Sequence, residues 1–324
     1  MRLATFNVES LDLPPRAKLP IEVRAEALRP VLARLDADIL CLQEVNGQHV
    51  PDRPERVLLA LDRVLEGTPY ATYERISTSG PDGLGVADVH NLVTLSRFPI
   101  RSRREVFHDL VPQPLYRMVT ADPRPSEPEP VTFDRPLLAA DIELPSGQLL
   151  TVINVHLRAP LAAAISGQKL SAFVWRTVGG WAEGYFLASM RRAGQALELR
   201  LLLEELFAAD PHRLIAVAGD FNAEDYDTAL RIAIGAEEDT GNGALSARSL
   251  VLLDRAIPAD RRWSILHHGR PQMLDHILVS RSLYGHVREI EVHNETLGDE
   301  LVGFGKGSPS PGSYHAPVVV ELAL

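Results

Sequence analysis

Apolar residues along this chain gather in short runs of strand length, rich in Val, Ile and Leu: 2–8 (RLATFNV), 38–44 (DILCLQE), 91–96 (NLVTLS), 137–144 (LLAADIEL), 149–156 (LLTVINVH), 213–220 (RLIAVAGD), 274–280 (LDHILVS) and 316–322 (APVVVEL). Runs of this length and composition predict buried strands. Between them, 22–36 (EVRAEALRPVLARLD) carries a helical period, with Pro30 as a kink or a late start, and 54–66 and 190–209 predict amphipathic helices. The turn residues of ELPSGQLL, 143–150, predict a hairpin. A mixed α/β protein follows.

Two stretches break the rhythm. Residues 108–136 hold seven prolines and predict a long surface loop, and residues 158–189 carry Phe173, Trp175, Trp181, Phe186 and several glycines. Both read as surface insertions. Two readings stand side by side: loops beside a catalytic scaffold that shape substrate access, or insertions without a role. Strand-like runs lie on both sides of each, so one domain over 1–324 is expected.

Composition narrows the function classes. The 45% hydrophobic and 23% charged content is that of an ordinary globular protein. A formal charge of −10 argues against gripping long polyanions by charge alone, yet leaves room for an enzyme whose metal ion supplies positive charge. The one cysteine, Cys41, sits inside an apolar run, so a buried inert thiol is expected and a zinc-thiolate cluster is ruled out. No secretory leader is visible in MRLATFNV and no apolar stretch reaches membrane-spanning length, which makes the cytoplasm the expected location.

The ends of the apolar runs carry the chemistry. ATFN stops at Asn7, LCLQE at Glu44, VINVH at His156 and AVAGDFN at Asp220 and Asn222, while Asp275 and His315 stand at the entry of the last two runs. Taken singly, each has an ordinary reading as a cap, a surface acid or a satisfied interior histidine. Together they supply what phosphodiester cleavage demands: carboxylate and amide oxygens for a hard divalent ion, a group to orient water, and imidazoles to hold charge near neutral pH. There is no G-x-S-x-G and no Walker-type glycine loop to suggest another chemistry.

On the stretches LATFNVESL, LCLQEV, NLVTLSRFPI, TVINVHL, VAGDFNAE, LDHILVS and SYHAPVVVEL, the sequence resembles the endonuclease/exonuclease/phosphatase superfamily, the pancreatic-type deoxyribonuclease-like proteins, and within it the bacterial members. The resemblance implies a four-layer α/β sandwich, two packed mixed β-sheets flanked by helices. It also implies roles: Glu44 as main metal carboxylate with Asn7 beside it, Asp220 orienting and deprotonating water with help from Asn222, His156 hydrogen-bonding the phosphate or leaving oxygen, and His315 paired with Asp275 to stabilise phosphoryl charge. Asn91 and Arg97 are expected to position substrate, and Mg²⁺ or Mn²⁺ is the implied cofactor. Arg101, Arg103 and Arg104 could add phosphate contacts or form a solvated basic patch. The family commonly has an acid before its last histidine, where this chain has Tyr314; an altered metal position is expected there.

A metal-dependent phosphodiesterase or nuclease acting on nucleic acid or oligonucleotides is the leading expectation. A phosphatase or phospholipase C-like hydrolase of a small phosphorylated metabolite or lipid is its rival within the same chemistry, and a catalytically weak binding protein is the reading from another class.

Overall fold

The structure, a computed structural model, describes residues 1–51, 53–81, 83–305 and 310–324. Sixteen strands occur among them: β1 (Arg2–Leu11), β2 (Ile39–Val45), β3 (Glu74–Ser77), β4 (Asn91–Ser96), β5 (Ile100–Val106), β6 (Leu115–Tyr116), β7 (Glu129–Pro130), β8 (Leu137–Glu143), β9 (Leu149–His156), β10 (Leu214–Asp220), β11 (Leu250–Leu252), β12 (Ile265–His267), β13 (Arg270–Gln272), β14 (Asp275–Ser280), β15 (Val287–Val292) and β16 (Val318–Leu322). The principal helices are α1 (Ile21–Leu35), α2 (Leu59–Leu65), α3 (Val178–Ala209) and α4 (Thr228–Ile234). Twelve strands form two six-stranded mixed sheets, ordered β15-β16-β1-β2-β4-β3 and β11-β14-β10-β9-β8-β5.

The alternation of strand side chains builds the layers. On β2, Leu40 and Leu42 turn outward to join Leu28, Leu32 and Leu61 of α1 and α2, while Ile39 and Cys41 turn inward. Those inward residues meet Val152, Ala216, Ile277 and Val279 of the second sheet. On the far side, Ile153, Val155, Ile215 and Val217 pack beneath Leu199, Leu202 and Phe207 of α3. Helices, sheet, sheet and helices therefore stack in four layers, as the family resemblance implies.

Each sheet holds one parallel pair, β1 with β2 and β9 with β10, and each pair is joined by a crossover containing α1 or α3. Parallel strands end on the same side. Asn7 thus lies opposite Gln43, one residue before Glu44, and Asp220 lies opposite His156. The antiparallel neighbours bring their starts to the same edge, with Asp275 opposite Asp220 and Asn91 opposite Val45. Under that edge Gln43 Nε2 donates to Asn154 Oδ1 at 2.8 Å, and Asn154 Nδ2 donates to the carbonyls of Leu42 and Val93 at 3.1 and 3.0 Å. This buried polar bridge ties the sheets together where the functional residues emerge.

Three expectations about elements are corrected. The long helix starts at Val178, not near 190, because Thr177 caps it by accepting from Gly180 N; glycines and aromatics mask its period. The 158–189 stretch therefore contributes its last part to α3. Only Leu59–Leu65 of 54–66 is helical. Residues 108–136 are not a free-standing loop: with the 158–189 stretch they enclose Ala121, Val131, Ala163, Ile165 and Leu187. Glu183 of α3 clamps the two together, accepting from Tyr116 Oη at 2.9 Å, Val119 N at 2.5 Å and Thr120 N at 2.8 Å. Among the described residues, no helix is long and apolar enough to cross a membrane.

Candidate active site

Asn7 lies at the centre of the strand-end cluster. Its Nδ2 donates to Asp220 Oδ2 at 3.1 Å and to Glu44 Oε1 at 3.3 Å, so one amide spans carboxylates from both sheets. Glu44 departs from regular strand geometry (φ 61°) beside a register shift in β2, which turns its side chain out of the ladder. Its other oxygen, Oε2, accepts from Ser10 N at 2.9 Å and Ser10 Oγ at 3.1 Å. Glu9, Ser10, His90 and Asn222 also have positive φ, at 52°, 46°, 56° and 49°. Backbone in this region is disfavoured for side-chain-bearing residues, and five of the nine such residues among those described lie at this cluster.

Asp220 is sealed from solvent. Its Oδ1 accepts from Asn222 N at 2.8 Å and its Oδ2 from Asn222 Nδ2 at 3.2 Å, and the Asn222 amide also reaches Leu157 O at 3.0 Å. Burial and the neighbouring charge of Asp275 push Asp220 up to about 7. Asp275 accepts from Ser264 Oγ at 2.7 Å and pairs with His315 Nδ1 at 2.8 Å through the same oxygen, Oδ2. Burial acts to lower the His315 pKa, but Asp275, Asp220 and Glu44 outweigh it and raise it to about 10. His315 is therefore an imidazolium near neutral pH, and its strand-mouth position is fixed by Ser313, which accepts from His315 N and donates to Asn7 O.

His156 Nε2 stands 3.4 Å from Asp220 Oδ2 and 3.8 Å from Glu44 Oε1. Burial, then Arg135, His90 and His315, hold its pKa well below the ordinary value, so the ring is neutral. Glu44 is raised by burial, yet His90, His315 and the Asn7 amide outweigh this and leave it lowered. His90 is itself lowered by burial and Arg135, and Arg135 also acts to lower Glu44.

The structure thus gathers Asn7, Glu44, His156, Asp220, Asn222, Asp275 and His315 at one place, and gives the arginines, Asn91 and Tyr314 other surroundings. Arg97 follows β4 at the opposite sheet edge and pairs with Asp38; it cannot reach the cluster. Arg101 and Arg103 pair with Glu143 and Glu105, and Arg104 with Glu205 at 2.9 Å, as surface ion pairs. Asn91 is fully buried behind the cluster, where Nδ2 donates to Val45 O at 2.9 Å and Ala87 O at 2.8 Å while Oδ1 accepts from Ala87 N. It pins the loop before β4 against the end of β2. The Tyr314 ring turns away, lying against Gly303, where an added Cβ would meet the phenol oxygen at 1.7 Å. Only its backbone faces inward, Tyr314 N donating to Glu9 Oε2 at 2.9 Å. Position 314 is thus corrected from an altered ligand to a packing residue.

Four residues at the cluster were not foreseen. Glu9 and Ser10 follow Asn7 on β1, just past the run at 2–8. His90 and Arg135 precede the runs at 91–96 and 137–144 as His315 precedes the last, so the strand-mouth rule applied to every run would have found both. Arg135 is lowered by burial against the opposing pull of Glu44, Asp134 and Asp220, which places a cation beside the carboxylates.

Two groups have the donors to hold a metal ion, Glu44–His90–His156 and Asp220–Asp275–His315, each with ligand atoms within 4.8 Å of one another. In the second, the protonated His315 is already bound to Asp275. The first offers an ionised carboxylate and neutral imidazoles, the state in which these side chains ligate. The donor set fits a divalent cation at Glu44.

Solved structures with the same fold extend over essentially the whole chain. A mannosyl-6-phosphatase from Bacteroides thetaiotaomicron superposes with a TM-score of 0.60 at 16% identity, covering 100% of both chains. A 3′ phosphatase from Neisseria bound to a product DNA hairpin gives 0.54 at 19%, and an AP endonuclease from Archaeoglobus fulgidus 0.53 at 16%, again covering 100% of both chains. At these identities the likeness establishes the fold alone. No protein of curated function matches the sequence. Residues 4–315 match the family model described as "Endonuclease/Exonuclease/phosphatase family", and with this span the chain belongs to that family of phosphoester-hydrolysing enzymes.

Proposed function

We propose that this protein is a divalent-metal-dependent phosphodiesterase that cleaves nucleic acid or oligonucleotides, with Mg²⁺ or Mn²⁺ held by Glu44 and Asn7. The cation, when bound, neutralises phosphoryl charge and acidifies water. The chain's own groups do the rest. Asp220, with a pKa near the working range, orients water and takes its proton, and Asn222 fixes the carboxylate for that task. His315, kept charged by Asp275, donates to the phosphoryl oxygens as negative charge builds on them. Arg135 adds a second fixed cation on the substrate side.

The observation that carries the hydrolytic reading is the meeting of Asp220, His315 and Glu44 around the Asn7 amide, one base, one imidazolium and one metal carboxylate drawn from both sheets. The preference for oligonucleotides rests on the two inserted stretches. Arg158 and Arg191 bind Asp134, the neighbour of Arg135, at 3.0 and 3.2 Å. On the same helix as Arg191, Trp181 and Tyr185 stack with centroids 5.6 Å apart and remain 45% and 40% exposed. Exposed rings on the helix that also carries Arg191 suit single-stranded nucleic acid, whose bases stack on aromatic faces.

Purified protein with Mg²⁺ or Mn²⁺ should cleave bis(p-nitrophenyl) phosphate and single-stranded oligonucleotides faster than p-nitrophenyl phosphate or phosphorylated sugars. Cleavage of monoesters alone would replace the nuclease reading by a phosphatase. No turnover of any phosphoester would leave the fold with a binding role.

A further inference from the structure

We infer that Glu44, His90 and His156 form a cage for a transition-metal dication, so that the cation of this site is Mn²⁺, Co²⁺ or Zn²⁺ in preference to Mg²⁺. The inference builds on the proposal that Glu44 holds the metal, but it concerns which ion and is tested by binding alone.

Glu44 presents its two oxygens to two different imidazoles. Oε1 lies 3.8 Å from His156 Nε2 and Oε2 lies 3.8 Å from His90 Nδ1, and the two rings meet edge to face with centroids 6.2 Å apart. Donor atoms bound about 2.0–2.2 Å from one ion stand about 3–3.5 Å from each other, so each Glu44 edge, one per oxygen, is open by about 0.3–0.8 Å, and the three donors lie within 4.8 Å of one another. His156 is 2% exposed; its Nε2 also faces Asp220 Oδ2 at 3.4 Å, and its other ring nitrogen, Nδ1, is sealed without a hydrogen-bond partner among the described residues. His90 Nδ1, the atom aimed at Glu44, is likewise buried without a hydrogen-bond partner among the described residues. An unsatisfied polar atom facing a carboxylate, as His90 Nδ1 does, is costly unless something fills the space between them.

The framework holds these donors in place. His90 N donates to Asn46 Oδ1 at 2.9 Å, and the Asn91 amide pins the adjoining loop to Val45 O beside Glu44. His156 sits in register on β9, opposite Asp220. Imidazole nitrogen suits Mn²⁺, Co²⁺ and Zn²⁺, whereas Mg²⁺ takes oxygen and sheds water reluctantly. Two nitrogens among three donors therefore tilt the site toward the later ions. In this arrangement His156 is a ligand, not the hydrogen-bond donor to phosphate that the family resemblance implies.

Metal-free protein is titrated calorimetrically with Mg²⁺, Mn²⁺ and Co²⁺ without substrate, and the Co²⁺ complex is followed by visible absorption. Mn²⁺ and Co²⁺ should bind at least about tenfold more tightly than Mg²⁺. His90→Ala and the more conservative His90→Asn should weaken Co²⁺ by about tenfold or more and shift its visible bands, with Mg²⁺ affinity within about threefold of wild type. Retained Mg²⁺ binding also reports that the variants fold. Equal affinity for Mg²⁺ and Co²⁺ in wild type, an unchanged Co²⁺ spectrum in both variants, or parallel loss of Mg²⁺ and Co²⁺ would each overturn the cage. Hydrolysis of diesters with Mg²⁺ in the face of any of these results would leave the proposed function standing.

Discussion

His315 Nδ1 rests 2.8 Å from Asp275 Oδ2 although 40 positions separate them in sequence. The pair exists because β14 and β16 both begin at the edge where the two parallel strand pairs end. Asp275 is fully buried and its second oxygen has no hydrogen-bond partner among the described residues, so its charge is directed onto the imidazole. A buried ion pair of this kind fixes a protonation state as much as a position.

That pairing gives stability a pH dependence of known sign. The folded His315 pKa, about 10, lies above its ordinary value of 6.5, so its contribution is fully present below pH 6.5 and is lost as pH rises through about 10. The melting temperature of metal-free protein should fall between pH 7 and 10, and Asp275→Asn should flatten that slope. Parallel slopes in wild type and variant would remove the pair as its source.

Asp220 is expected to set the ascending limb of kcat/KM. A bound cation only favours the carboxylate, so the limb should lie at or below pH about 7, the value in the metal-free site. Asp220→Asn should lower kcat by about 10²–10⁴-fold while cation affinity, measured calorimetrically, changes little. An ascending limb above pH 8, or near-normal turnover by the variant, would assign proton transfer elsewhere.

Gly219, in the GDFN stretch, is required by contact. A Cβ there would meet Val155 O at 1.9 Å and Val155 Cγ2 at 2.8 Å, forcing β9 and β10 apart between His156 and Asp220. Gly219→Ala should cost about 3 kcal/mol in denaturant unfolding, at the upper end of overpacking effects, and lower activity in whatever fraction stays folded. A change under about 1 kcal/mol would show that the strands separate freely.

Tyr314→Asp tests the packing role assigned to that ring. A carboxylate placed against Gly303 loses the ring's burial, and the substitution should destabilise the fold by about 2–4 kcal/mol without improving cation affinity. Tighter Mg²⁺ or Mn²⁺ binding by the variant would restore position 314 as a ligand position.

The cluster was legible because its chemistry sits where apolar runs stop or start, and parallel pairing turns shared run ends into a shared place. Seven residues read from that rule converge. Arg97 failed because the rule was not applied with direction: it leaves its strand where β2 begins, not where β2 ends. His90 and Arg135 were passed over because loops approach the cluster from outside the motif stretches. Strand β5 was missed because four of its seven residues are exposed, three of them arginines, so no apolar run marks it. The partnership of the two inserted stretches was also invisible, since Glu183 binds backbone amides that any sequence would supply at 119 and 120.

Cys41 gives this architecture a built-in reporter. Its sulfur is wholly enclosed between the two sheets and burial pushes the thiol pKa up to about 12, so neither contact with a labelling reagent nor ionisation is available in the closed form. Both sheets contribute to the candidate cluster: Asn7 and Glu44 come from one, His156 and Asp220 from the other. Opening wide enough to admit a maleimide must therefore part Asn7 from Asp220, and thiol labelling and inactivation share one clock.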